Sequence, residues 1–349
     1  MALSDILGQA KPIELLKKSA AAGRVASAYL FHVLSGIGKR QTALNFAKAL
    51  NCAQPVSTAG QTDACDACPS CRKINAGVHP DVITIEPAKD VIKIDEIRQL
   101  IETLSLSAFE GRFKIAIVDE AHLMNDRAAN AFLKCLEEPP AQSVIILVSS
   151  SPERLPDTVR SRCLAVAFKP LSAAQVEGIL KTRLASDAVP GASARGRKKT
   201  TAHDININTA RLARLSMGRP GLALKGELPG AGGEDFINIL SRMASGVTQP
   251  SWEDKAAMAS FLDQMELFLR DLLVMKATGQ PGLLLDPEFE KQLSQLARYV
   301  PEEVIIETYS NMNKVRGALV YNPNKAIIWN YMACLALKLN INKIAPKGF

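Results

Sequence analysis

Ala28-Tyr29-Leu30-Phe31-His32-Val33-Leu34-Ser35-Gly36-Ile37-Gly38-Lys39-Arg40 is the stretch on which the fold turns. Four apolar residues that favour a strand run into a glycine-bearing loop, and from residue 41 to 50 the apolar positions recur at helical spacing. Strand, glycine loop and helix in that order form a phosphate-binding loop. Backbone N–H groups and a helix N-terminus surround phosphates, and a lysine neutralises them. Gly36, Gly38 and Lys39 occupy the expected places, and two other positions depart. Counting back from Gly38-Lys39, a glycine is expected at 33, but Val33 carries a branched Cβ that opposes positive φ and close backbone approach. The Ser/Thr that would turn a hydroxyl toward Mg²⁺ is Arg40, a permanent cation. ATP/Mg²⁺ binding by this loop stays open, while both departures argue against efficient hydrolysis. The plain alternative is a glycine turn opening a helix in a fold that no longer binds ATP.

Working outward, residues 81–85, 114–118 and 144–148 read as further strands, the last two continuous enough in apolar residues to be buried on both faces. Residues 94–104 and 126–138 have helical spacing, with Pro139-Pro140 stopping the second. This alternation implies a parallel sheet covered by helices. The strand 114–118 ends in Asp119-Glu120-Ala121-His122, which delivers two carboxylates to the sheet edge. In ATPases with such loops the Asp helps hold Mg²⁺ and the Glu polarises the attacking water. Ser149, at the end of strand 144–148, stands where a hydroxyl could meet a γ-phosphate, or simply opens a serine turn before Pro152. After Pro170 the pattern is helical, in residues 175–184 and 209–224 and then from about 235 to 349, with 263–273 and 324–337 the most regular.

The length, 349 residues with 47% hydrophobic, 22% charged and 5% aromatic, suits two or three domains with real cores and argues against a disordered chain. An apolar run long enough to span a membrane and the pattern of an export signal are both missing from the reading, so the cytoplasm is the expected compartment and a membrane role is disfavoured. The formal net charge of +7 is unevenly spread: +2 over residues 1–170, +5 over 171–234 and zero over 235–349. Its densest piece, Arg195-Gly196-Arg197-Lys198-Lys199, lies in the Pro/Gly/Ser/Ala-rich run 185–201, which reads as a flexible connection. Such a run could hold nucleic-acid phosphates, but a solvated loop is the commoner meaning of an isolated five-residue run.

Cys52, Cys65, Cys68 and Cys71 form C-x12-C-x2-C-x2-C, inserted between the loop's helix and the next strand. Two x2 spacings let thiolates converge on one ion, and four sulfurs leave no open position, so the reading is structural Zn²⁺ rather than catalytic metal. Cys135, Cys163 and Cys334 lie among apolar residues and read as core thiols. A zinc-dependent nucleic-acid module is a competing reading. It is weakened because no Lys, Arg, Phe, Tyr or Trp lies between Cys52 and Cys71.

Taken in order, the glycine loop, the four-cysteine insertion and Asp119-Glu120-Ala121-His122 are followed by Asn130-Ala131-Phe132-Leu133-Lys134, Leu136-Glu137-Glu138-Pro139-Pro140 and Leu155-Pro156-Asp157-Thr158-Val159-Arg160-Ser161-Arg162-Cys163. This set resembles the AAA+ clamp-loader subunits of bacterial DNA polymerase III, strongly over about the first 170 residues and in layout beyond. The resemblance implies an α/β RecA-like AAA+ domain with a parallel sheet and helices (1–170, with the zinc insertion at 52–71). A small helical lid domain (171–234) and an all-α C-terminal collar domain for hetero-oligomerisation (235–349) would follow. It also implies tau/gamma and delta subunits, the sliding clamp and primed DNA as partners. The family holds ATP-hydrolysing subunits of the tau/gamma kind, which keep Gly-Lys-Thr in the loop, and a non-hydrolysing kind. Gly38-Lys39-Arg40 is similar to the latter. Arg162 then matches the family's arginine that reaches into a neighbour's ATP site, and Gly218-Arg219-Pro220-Gly221 lies where active members keep an arginine for their own nucleotide, here offset.

Overall fold

In this computed structural model the described residues are 1–88, 91–187, 202–226, 228, 233–246, 252, 255–319 and 324–343. The basic run 195–199 lies outside them. The chain divides into two compact units, one of residues 1–179 with 217–221, the other of 180–216 with 222–349.

The first unit is built on five strands: β1 (Ala28–His32), β4 (Val82–Ile85), β5 (Lys114–Val118), β6 (Ser143–Ser149) and β7 (Leu164–Ala167). They lie in the order β4-β5-β6-β1-β7 with every pairing parallel. All of β5 and β6 is buried, as expected of strands sandwiched between helix layers. Helices α1 (Ala10–Ala22), α2 (Lys39–Asn51), α3 (Pro69–Asn75), α4 (Ile94–Ser105), α5 (Asp126–Glu137) and α6 (Asp157–Arg160) complete the unit, with β2 (Val56–Thr58) and β3 (Gln61–Asp63) forming an antiparallel hairpin in the cysteine insertion. The order places β6 in the middle, between β5 and β1, so the loops after β1, β5 and β6 meet at one sheet edge, the usual ligand edge of parallel sheets.

Local chemistry sets the boundaries. Asn125 caps α5 by accepting from the Ala128 N–H at 2.8 Å, and Pro139-Pro140 follow its end. Glu96 accepts from the Lys93 N–H at 2.7 Å to start α4, whose buried face is Ile97, Leu100 and Leu104. That face and Phe132 of α5 form one core cluster with Ala116 and Val118 of β5 and Ile145 and Leu147 of β6. Phe132 is fully buried, so Phe132→Ala should cost about 3–5 kcal/mol. Urea unfolding would show this as a lower midpoint.

The helix read as 209–224 is in fact two, α8 (Ala202–Leu215) and α9 (Pro220–Lys225), with α7 (Ala173–Asp187) before them. Met217 and Gly218 between them both have positive φ, 47° and 80°. A Cβ on Gly218 would stand 2.5 Å from the Leu171 carbonyl oxygen, so only glycine fits the break. The second unit continues with α10 (Gly233–Ala244), α11 (Lys255–Thr278), α12 (Glu290–Tyr299), α13 (Glu302–Ala318) and α14 (Lys325–Lys338). Its largely aliphatic core holds an aromatic group: Phe236 packs on Phe261, Phe268 and Phe289, and Trp252 meets Trp329 edge-on at 5.1 Å. None of the described helices is long and apolar enough to cross a membrane.

Candidate functional site

The glycine loop leaves β1 and enters α2 as the sequence implies, with Gly36 at φ 79° and Gly38 at φ 97°. Val33 also takes positive φ, 120°, although a branched residue is strained there by about 1–3 kcal/mol. Its carbonyl and that of Leu34 both accept from Lys39 Nζ, the second at 2.7 Å. Lys39 is only 4% exposed, and burial lowers its pKa against the opposing pull of Glu120 and Asp119. Its ammonium is therefore satisfied by the loop's own backbone. The N-terminus of α9 closes on the loop as well: the Gly221 N–H donates to the Gly36 carbonyl at 2.8 Å, and a Cβ on Gly221 would stand 2.9 Å from Gly36 Cα.

Arg40 occupies the position of the missing hydroxyl. Its guanidinium pairs with Glu86, just beyond β4, and lies 3.7 Å from Asp119 Oδ2. Burial and the neighbouring Glu120 raise the Asp119 pKa, opposed by Arg40. Glu120, at φ 45°, accepts from Ser150 Oγ at 2.7 Å and lies 3.4 Å from His122 Nδ1. Ser149 is fully buried, contacts His122 Nδ1 at 3.4 Å and accepts from the Ser151 N–H. The expected set Gly36, Gly38, Lys39, Asp119, Glu120 and Ser149 thus gathers at one edge, but each charged or hydroxyl group is held by a protein partner. The donors do not fit Mg²⁺, because the chain's own cation, Arg40, stands beside the carboxylate that would bind it. Glu86 was missed in the sequence, and the contacts of His122 and Ser150 with Glu120 were not foreseen there. An acidic residue directly after a neighbouring strand was the signal available for Glu86.

Arg162 follows α6, a short helix anchored by buried Val159, with Leu155 buried before it. The guanidinium pairs through Nη2 with Glu137 Oε1 at 2.6 Å and donates through Nη1 to the Thr158 carbonyl at 2.8 Å.

The four insertion cysteines converge: their Sγ atoms all lie within 4.8 Å of one another. From Cys52 Sγ the separations are 3.5 Å to Cys65, 3.9 Å to Cys68 and 3.7 Å to Cys71. Four sulfurs about 2.3 Å from a tetrahedral Zn²⁺ would stand about 3.8 Å apart, so the donor set fits that ion. The N–H groups of Cys65, Cys68 and Cys71 each donate to the preceding cysteine's sulfur, at 3.3–3.4 Å. Burial alone would raise the Cys68 thiol, but the N–H groups of Cys71 and Ala53 outweigh it and bring its pKa to about 6. The insertion is tied to α2 by Lys48, whose side chain is fully buried and bonds Asp66 at 2.6 Å, and by Ser70, which donates to the Asn51 carbonyl.

The family described as DNA polymerase III, delta subunit, matches residues 8–172. The chain is similar to the tau subunit of DNA polymerase III from Salmonella typhimurium, 35% identical over 50% of this chain and 26% of that protein. It is also similar to the delta-prime subunit from Pseudomonas aeruginosa, 38% identical over 45% of this chain and 47% of that one. Among solved structures, a gamma subunit-related protein of DNA polymerase III from Thermotoga maritima is 17% identical, with a TM-score of 0.42 over 93% of this chain and 98% of that one. The chain thus spans about half or less of the length of these two curated relatives.

Proposed function

We propose that this chain, whose residues 8–172 match the DNA polymerase III delta-subunit family, is a clamp-loader AAA+ subunit and serves as the delta-prime subunit, which helps load the sliding clamp without hydrolysing ATP itself. One observation carries this reading: Arg40 lies beside Asp119 and is paired to Glu86 where a hydrolysing site would need a metal ion. Lys39, engaged by the Val33 and Leu34 carbonyls, supports it, since a phosphate would have to displace them. The subunit then acts through its neighbours. Residues 171–234 serve as a lid and 235–349 as a collar that joins tau/gamma and delta subunits, and primed DNA and the clamp are met by the whole assembly. Arg162 reaches the adjoining subunit's ATP, where a planar, permanent cation stabilises charge developing on the γ-phosphate. Zn²⁺ on Cys52, Cys65, Cys68 and Cys71 stiffens the insertion beside α2.

Retention of Lys39, Asp119 and Glu120 favours the rival reading, an ATP-hydrolysing tau/gamma-like subunit. Steady-state phosphate release separates the two. The isolated chain with Mg-ATP should show turnover at background, unchanged by Lys39→Ala. Turnover that Lys39→Ala abolishes would overturn the delta-prime reading.

A further inference from the structure

The pairing of Arg162 with Glu137 is unused by the reading above. Glu137 ends α5, and Arg162 follows α6, so the two come from segments separated by the whole of β6. Leu136, next to Glu137, shares a core cluster with Leu155 and Val159 that anchor the α6 side, with Cys163 packed against it. Packing on both flanks therefore sets the spacing of the two backbones, and the ion pair decides only where the guanidinium points. The pair is half exposed, Arg162 at 36% and Glu137 at 49%, in the range where a salt bridge adds little to stability. Its effect falls on the rotamers of a long side chain instead. Held by Glu137 on Nη2 and by the Thr158 carbonyl on Nη1, the fork has one orientation. These contacts leave the Nε–H and the second Nη2 hydrogen for an anion. The adjacent arginine is committed elsewhere: Arg160 pairs with Asp157 on its own short helix.

We propose that Glu137 is a positioning residue for Arg162, holding its guanidinium oriented for the phosphate of a neighbouring subunit. The proposal rests on the trans-acting role of Arg162. A phosphoryl group carries more charge than one carboxylate, so it can share or take over the fork, while the carboxylate removes in advance the rotamer freedom that would otherwise be lost on each encounter.

The test uses the full assembly with partner ATPase subunits, sliding clamp and primed DNA, and reads Mg-ATP turnover for Glu137→Gln, Glu137→Asp, Arg162→Ala and the Glu137→Gln/Arg162→Ala double variant. Glu137→Gln should lower kcat roughly three- to tenfold with little change in the KM for ATP, and Glu137→Asp should recover part of the loss. The double variant should be no slower than Arg162→Ala alone, since Glu137 acts only through that arginine. Asp157→Asn, which releases Arg160 instead, should leave turnover unchanged. Thermal unfolding and assembly of Glu137→Gln should match the wild type, which separates positioning from folding. Unchanged or faster turnover of Glu137→Gln, or additive losses in the double variant, would overturn the proposal. Loss of the Arg162→Ala effect itself would instead overturn the trans-acting role on which it rests.

Discussion

Replacing Arg162 by alanine in a reconstituted clamp loader should slow ATP hydrolysis at the adjoining site on the order of 100-fold. The loss belongs in kcat rather than in ATP affinity, because the guanidinium's advantage grows as charge develops on the transferred phosphoryl group. Total turnover of the assembly then falls by that site's share, and by more if the sites fire in sequence. The position of Arg162 supports this size of effect. It follows a four-residue helix held by Val159, its side chain remains partly exposed, and one carboxylate orients it. Arg162→Lys should sit between wild type and alanine, keeping charge but losing the fork. Single-turnover phosphate release measures the series, and unchanged rates for Arg162→Ala would sink the trans-acting role.

The second large effect is expected at the cysteines. Cys71 is fully buried and its sulfur lies 3.7 Å from that of Cys52, so Cys71→Ser removes one of four thiolates from a closed set. Zinc content should drop from about one per chain to near zero, and stability should fall by on the order of 3–5 kcal/mol, because metal binding and folding of such a module are one equilibrium. The damage should stay local at first. Lys48–Asp66 and Ser70–Asn51 tie the insertion to α2, so limited proteolysis is expected within residues 53–67 before the sheet unfolds. Metal analysis and thermal unfolding check both parts. A Cys71→Ser chain that keeps zinc and its melting temperature would contradict the zinc assignment.

Much of the first unit was legible because its signals are local. β1, β5 and β6 are unbroken apolar runs, and α4 and α5 carry caps and stops within a few residues of their ends. Helix α1 escaped because its buried face is only Pro12, Ile13 and Leu16, and β7 because a single residue of four is buried. The break at Met217-Gly218 depends on Leu171, far away in sequence, which no helical period reveals. The same holds at the nucleotide-like edge. The residues Gly36, Gly38, Lys39, Asp119 and Glu120 could be found from order and spacing, whereas their partners could not. Arg40 to Glu86 and Glu120 to Ser150 are made by sheet order, which brings separate loops to one edge, and Arg162 to Glu137 by the packing of α5 against α6. The sequence reading that Val33 opposes positive φ met a loop that adopts it anyway, with Lys39 holding its carbonyl.

Whether this subunit holds ATP at all is most directly tested by native mass spectrometry of the intact, zinc-loaded chain sprayed with excess Mg-ATP. The expected spectrum is the chain with one zinc and no nucleotide, its loop filled by Lys39 and its metal position by Arg40. A specific Mg-ATP adduct that Lys39→Ala removes would contradict that result and show that Lys39 and Arg40 leave room for nucleotide.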